Sequence, residues 1–155
     1  MPYRLERSLF LPRPREEVFA FFADAANLER ITPPFLNFHI TTPPPIDMKA
    51  GTLIDYKLRL HGIPLRWRTL IATFDPPSSF TDVQLSGPYR RWHHTHKFLD
   101  VPGGTEMRDR VDYELPFPLF APIVHTLFVR RSVEQIFDYR NKIIAEAFKS
   151  SASTP

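Results

Sequence analysis

Three polar residues stand where the strand pattern calls for apolar ones. In Arg90 to Asp100 one alternating phase reads Trp92, His94, His96, Phe98; in Thr105 to Leu115 one phase reads Thr105, Met107, Asp109, Val111, Tyr113, Leu115. Successive side chains of a strand point to opposite faces, so the phase holding most of the bulky apolar residues turns inward. His94, His96 and Asp109 turn inward with it. The run before them places Phe80, Asp82 and Gln84 in one phase, with Val83 and Leu85 competing in the other. Imidazole titrates near neutral pH, so a histidine facing a pocket can act as general acid or base, with Asp109 fixing its tautomer. The same residues can instead form a buried network that pins strand register, because buried polar groups must be paired. Both readings stand at this level. Metal ligation by His94-x-His96 with Asp109 is a third reading; it demands a geometry that spacing does not supply, and neither a resident metal nor a cofactor is expected. His93 falls in the opposite phase and is expected in solvent.

The elements that must position these residues can be read from periodicity and proline. Tyr3 to Phe10 reads as a strand ended by Pro12 and Pro14, and Pro14 suits a helix start. Val18, Phe19, Phe21 and Phe22 recur at helical spacing, and a second short helix covers Ala25 to Ile31 before Thr32-Pro33-Pro34 stops it. Leu36, Phe38 and Ile40 alternate as a strand. Further strands follow over Gly51 to Leu60, Leu65 to Phe74, Ser79 to Ser86, Arg90 to Asp100 and Thr105 to Leu115, with His61-Gly62-Ile63-Pro64, Pro76-Pro77, Gly87-Pro88 and Pro102-Gly103-Gly104 between them. Connections this short imply an antiparallel meander. A helix from about 119 to 148 closes the chain, and Ser150 to Pro155 reads as a flexible tail to a single domain spanning 1–149.

Composition bounds the function. The 155 residues include 14 Phe and no Cys, which supplies a large core and removes disulfides, cysteine nucleophiles and thiolate metal sites. The formal charge of +3 is too small to imply nucleic acid. No signal-like run or membrane span is present in the sequence, so a soluble, cytoplasmic protein is expected. Outward positions mix Arg59, Arg66, Arg68, Arg91, Lys97, Arg108 and Arg110 with Asp55, Asp112 and Glu114, the pattern of a solvated face, with an anionic partner as the alternative reading. Phosphate-loop, G-x-S-x-G and H-E-x-x-H motifs are missing.

The chain resembles the START-like, Bet v 1-like superfamily (SRPBCC), which includes polyketide cyclases and lipid-transfer domains. The resemblance starts at Pro14-Arg15-Glu16-Glu17-Val18-Phe19 and runs through Asn27-Leu28-Glu29-Arg30-Ile31-Thr32-Pro33. A narrower bacterial subgroup is suggested by Phe80-Thr81-Asp82-Val83-Gln84, Gly87-Pro88-Tyr89-Arg90-Arg91-Trp92-His93-His94-Thr95-His96, Asp109-Arg110-Val111-Asp112-Tyr113 and Ile136-Phe137-Asp138-Tyr139-Arg140. The resemblance implies an α+β helix-grip fold: a curved antiparallel sheet of about seven strands around the long C-terminal helix, with two short helices after strand 1. It implies an internal cavity more firmly than a reaction. Some similar proteins are fused to epimerase-like oxidoreductase domains, although this chain has no dinucleotide-binding motif.

Three functions follow as expectations. The leading one is binding of a small hydrophobic or amphipathic ligand without a defined reaction. The second is cyclase- or dehydratase-like catalysis with His94, His96 and Asp109 as the acid–base group, and the third is an interaction module for a partner oxidoreductase. The cavity is expected between the sheet and the N-terminal half of the last helix, lined by Tyr56, Trp67, Trp92, Met107 and Tyr113, with Gln84, His94, His96 and Asp109 as its polar groups. In the first half of that helix Ile123, Val124, Leu127 and Phe128 project to a different side from the later stripe of Val129, Val133, Ile136, Phe137, Ile143, Ile144 and Ala147, which Arg140 interrupts. Either the helix bends after the prolines or that face covers something else. Val124 and Phe128 are expected at the cavity mouth, with a homodimer as the alternative.

Overall fold

The computed structural model describes residues 2–60, 62–117 and 121–152. Its elements are β1 (Tyr3–Leu11), α1 (Arg15–Phe22), α2 (Ala26–Ile31), a 3₁₀ turn (Pro34–Leu36), β2 (His39–Ile40), β3 (Leu53–Leu60), β4 (Ile63–Asp75), β5 (Ser79–Ser86), β6 (Arg91–Val101), β7 (Gly104–Glu114), α3 (Ala121–Val124), a π-helical turn (His125–Val129) and α4 (Arg130–Ala152). The seven strands form one antiparallel sheet in the order β1-β7-β6-β5-β4-β3-β2. The expected strand over Leu36 to Ile40 is reduced to two residues, because Pro34 at the start of the 3₁₀ turn and a left-handed Asn37 interrupt it.

Two features give the sheet its curvature. The long strand β4 breaks register with β5 between Arg68 and Thr69 and again between Ile71 and Thr73, and such bulges bend a strand. The β5–β6 ladder stops at Val83↔His93, so the sheet parts beyond that pair. Gln84 bridges the parting: its Nε2 donates to the Tyr89 carbonyl at 2.6 Å, and its Oε1 accepts from the Tyr89 amide at 3.1 Å. A Cβ on Gly87 would lie 2.6 Å from that Oε1, so only glycine leaves room for the clamp.

Packing is solid at one end and aromatic at the other. Leu11, Val18, Phe19, Phe22, Phe98, Met107, Ile144 and Phe148 form one core cluster under α1 and the end of α4. Leu5, Val111, Tyr113, Val133 and Phe137 form another where α4 begins on β1 and β7. Across the sheet, Leu36, Leu58 and Trp67 gather Phe38, Tyr56, Tyr89, Trp92 and Ile136.

The last helix resolves its two apolar faces through the π-helical turn. One π turn carries an extra residue and rotates the following side chains by about 100° relative to the preceding ones. Val133, Phe137, Arg140, Ile144 and Phe148 are therefore all buried on the sheet, while Ile123 and Phe128 remain exposed. The side chains of Val124 and Leu127 lie outside the described residues. His125 pins the turn: its ring stacks on Tyr3 at 3.5 Å and its Nε2 shares a 2.7 Å hydrogen bond with the Tyr113 hydroxyl.

Candidate functional site

Between the aromatic group and the solid core lies a cavity of about 190 Å³. Its wall comes from β3, β4, β5 and β6, from α1, α2 and the 3₁₀ turn, and from Ile136, Phe137 and Arg140 near the middle of α4. Among the described residues, the last helix meets the cavity near its middle, at Ile136, Phe137 and Arg140, rather than in the expected N-terminal half, and its start lies elsewhere. The contacts of His125 hold that start on the β1–β7 edge, and the central turns of α4 cover the cavity instead.

Of the residues singled out from the sequence, Tyr56, Trp67, Trp92, His94 and His96 line the cavity. Gln84, Met107, Asp109, Tyr113 and Phe128 do not. Gln84 is spent on the Tyr89 backbone, Met107 packs in the core under α1, and Tyr113 packs against Val133 and Phe137. Phe128 faces out at 56% exposure. Asp109 lies behind the two histidines.

The polar groups concentrate at one end. Register pairs Asp82 with His94 across β5–β6, and His96 with Asp109 across β6–β7, so alternate positions on three neighbouring strands converge. His94 Nε2 lies 2.8 Å from Asp109 Oδ1 and His96 Nε2 lies 2.6 Å from Asp82 Oδ2. The remaining nitrogens lie further from the opposite carboxylates: His96 Nδ1 is 3.3 Å from Asp109 Oδ1, and His94 Nδ1 is 3.7 Å from Asp82 Oδ2. Arg140 Nη1 donates to Asp109 Oδ2. Phe80 stacks on the His96 ring at 4.1 Å and closes its far side.

Two carboxylates against one guanidinium leave a single negative charge for the imidazoles to balance. Burial opposes protonation of both. For His96, hydrogen bonds to Asp109 and Asp82 outweigh burial and raise its pKa. For His94, burial and the charge of His96 prevail over the pull of Asp82 and Asp109 and lower its pKa. Arg140 Nη2 lies 3.5 Å from His96 Nδ1, a contact that would need a lone pair there. Asp109 approaches the same nitrogen more closely, at 3.3 Å, and Asp82 meets Nε2, the two contacts behind the upward shift of His96. Burial favours the neutral form of Asp109, yet Arg140 and the two histidines hold it ionised and its pKa well below the carboxylate range. Asp82 is likewise lowered, its burial outweighed by the histidines and Arg140.

Sequence reasoning noted Arg140 only as an interruption of the helical stripe and gave neither it nor Asp82 a role at the site. The signal for Arg140 was present: a lone cation within an apolar helical stripe, at the level of the inward His and Asp. At the aromatic end, the Tyr56 hydroxyl shares a 2.7 Å hydrogen bond with Thr69 Oγ1, and burial raises the Tyr56 pKa. Trp67 Nε1 is buried without a hydrogen-bond acceptor, and its indole meets Trp92 edge-on at 5.3 Å.

A curved sheet closed by a long helix over an apolar cavity with one ionisable end defines a helix-grip protein. Residues 11–138 match the polyketide cyclase / dehydrase and lipid transport family, and the chain belongs to it. Among solved structures, it is similar to a protein from Thermus thermophilus (21% identity, 99% of this chain and 100% of that one, TM-score 0.75). It is also similar to the Zhui aromatase/cyclase from a Streptomyces species (14% identity, 92% and 94% covered, TM-score 0.67). A nucleoside-diphosphate sugar epimerase from Corynebacterium glutamicum matches at 29% identity over 94% of this chain but only 29% of that one, with a TM-score of 0.67. Comparison with curated proteins returns no match. Among the described residues, no helix is long and apolar enough to cross a membrane.

Proposed function

We propose that the protein binds a small hydrophobic or amphipathic molecule inside this cavity. The observation that carries the reading is the cavity itself: about 190 Å³, walled by Phe38, Tyr56, Trp67, Tyr89 and Trp92, with Asp82, His94, His96 and Arg140 gathered in one cluster on its wall. An apolar cavity of roughly 150 Å³ admits benzene, so this one suits one or two rings or a branched chain of similar bulk. It falls short of the roughly 300–1,000 Å³ typical of drug-sized ligands. Both tryptophans of the chain line the wall, so their emission reports occupancy directly. Titration with one- and two-ring phenols should shift or quench that emission with a saturating curve. Ile136→Trp, which adds bulk from the helix side, should weaken binding at least tenfold. Linear, non-saturating quenching that Ile136→Trp leaves unchanged would remove this reading.

A catalytic reading draws on Asp82, His94 and His96 facing the cavity and on the fold shared with an aromatase/cyclase. Against it, each imidazole nitrogen already has a carboxylate within 3.7 Å, which favours binding over proton exchange. The match to part of an epimerase chain supports the other alternative, an interaction module for a partner oxidoreductase.

A further inference from the structure

We propose that Asp82, His94 and His96 form a site for a late first-row divalent cation, such as zinc, at the polar end of the cavity. The geometry differs from any His-x-His site built on Asp109. The nitrogens of the two rings sort into two sets. His94 Nε2 and His96 Nδ1 both approach one atom, Asp109 Oδ1, at 2.8 and 3.3 Å. His94 Nδ1 and His96 Nε2 both approach another single atom, Asp82 Oδ2, at 3.7 and 2.6 Å. One ligand atom from each of Asp82, His94 and His96 lies within 4.8 Å of the other two. Tetrahedral ligands at about 2.0–2.2 Å from a metal stand roughly 3.3–3.6 Å apart, so a small opening of the Asp82–His96 contact admits the ion.

The roles of the two carboxylates are distinct. Asp109 is 3% exposed and its other oxygen is held by Arg140, so it has no capacity left for a metal. In the metal-bound form it would accept from the far nitrogens and leave the near ones as lone pairs, as outer carboxylates do for metal-bound histidines, so binding releases to solvent any proton shared between His96 Nε2 and Asp82. Asp82 is less buried and lines the cavity together with both histidines, so the remaining coordination positions open toward the cavity. Two imidazoles and one carboxylate suit zinc, iron or cobalt, and are too nitrogen-rich for calcium or magnesium. With neutral imidazoles, the carboxylates and Arg140 sum to one negative charge, which a dication overbalances by one and a proton balances. Arg140 stands behind Asp109, and its Nη2 meets His96 on the Nδ1 side, away from the proposed ion. This inference does not depend on an organic ligand entering the cavity.

The test uses tag-free, chelator-stripped full chain titrated with Zn²⁺ by calorimetry and with Co²⁺ by visible absorption. The expected result is one equivalent bound, with the intense absorption bands of a four- or five-coordinate nitrogen-ligated Co²⁺. Asp82→Leu, and separately His94→Leu, should lower affinity at least a hundredfold while circular dichroism stays that of the folded chain. His93→Ala, on the opposite face, should change it less than threefold. The Co²⁺ spectrum of the unaltered protein keeps the test open should either leucine variant fail to fold. Absence of stoichiometric binding to the unaltered protein overturns the proposal, as does a six-coordinate Co²⁺ spectrum or binding that His93→Ala abolishes.

Discussion

Arg140 sits where the α4 stripe calls for an apolar residue, and its charge is what lets the cluster exist. Its guanidinium lies over Phe22 and Phe137 at 5.3 and 5.4 Å and bonds Asp109, so a buried cation and a buried carboxylate are both satisfied. Arg140→Met leaves Asp109 beside two histidines alone and is expected to cost about 3–5 kcal/mol, the usual penalty for breaking a buried pair from one side. His96→Ala removes partners from Asp82 and Asp109 and should cost about 1–3 kcal/mol. Urea unfolding followed by circular dichroism measures both; equal, sub-kilocalorie losses would show that the network contributes little. His125 gives a separate pH prediction. Burial first, then the charge of Arg130, hold its pKa below the ordinary value, against the attraction of Glu134, with Tyr3 and Tyr113 on its other sides. Below an unfolded value of about 6.5 the unfolded chain then binds more protons, so this residue makes stability fall as pH drops. His125→Phe keeps the ring on Tyr3 and should flatten the change in urea midpoint between pH 7.5 and 5.5. A variant midpoint that falls as steeply as that of the wild type refutes the assignment.

At the scale of elements, the approach of β7 to β1 depends on one glycine. A Cβ on Gly104 would collide with the Leu11 carbonyl oxygen and lie 2.9 Å from Pro12 Cα, both backbone atoms that no side-chain rotation can move. Gly104→Ala should therefore push the end of β1 outward and release the Thr105 hydroxyl from the Arg13 carbonyl, a 2.8 Å bond. The expected loss is about 1–3 kcal/mol or more, as for overpacked interiors. Thermal unfolding checks it, and a Gly104→Ala protein melting within one degree of wild type contradicts the geometry. The π-helical turn matters equally. Without its extra residue, the stripe carrying Val133, Phe137 and Arg140 would rotate off the sheet, and Asp109 would lose its cation.

For the whole molecule, the cavity is the space left where a bulged sheet meets a helix that touches it mainly at two ends. The solid cluster under α1 and the cluster at the head of α4 hold sheet and helix together, and the aromatic group lines the gap between them. Filling the gap should stabilise the fold by mass action: a ligand at a hundred times its Kd adds about 2.7 kcal/mol. Ligands larger than two rings should give no such gain, and a melting-temperature series across ring number measures the cutoff. A steady rise in stability with ligand size beyond two rings would show that the walls open further than the structure does.

Most of the elements, and the inward phase of β6 and β7, were legible in contiguous stretches of sequence, whereas the strand expected over Leu36 to Ile40 and the π-helical turn were not. Proline and glycine punctuation placed the strands, and period-two alternation turned His94, His96 and Asp109 inward, because both signals act over a few residues of contiguous chain. The resemblance of its motifs to a family carried the fold. Tertiary structure alone decided which inward residues meet. Tyr113 and Met107 share the phase of Asp109, yet they pack into separate core clusters, because the lateral position of α4 over the sheet is set by contacts far apart in sequence. Likewise, Arg140 lies 31 residues beyond Asp109, and no local pattern links them. Their pairing follows from the rotation that the π turn gives α4, and that rotation also fixes which end of the cavity is polar.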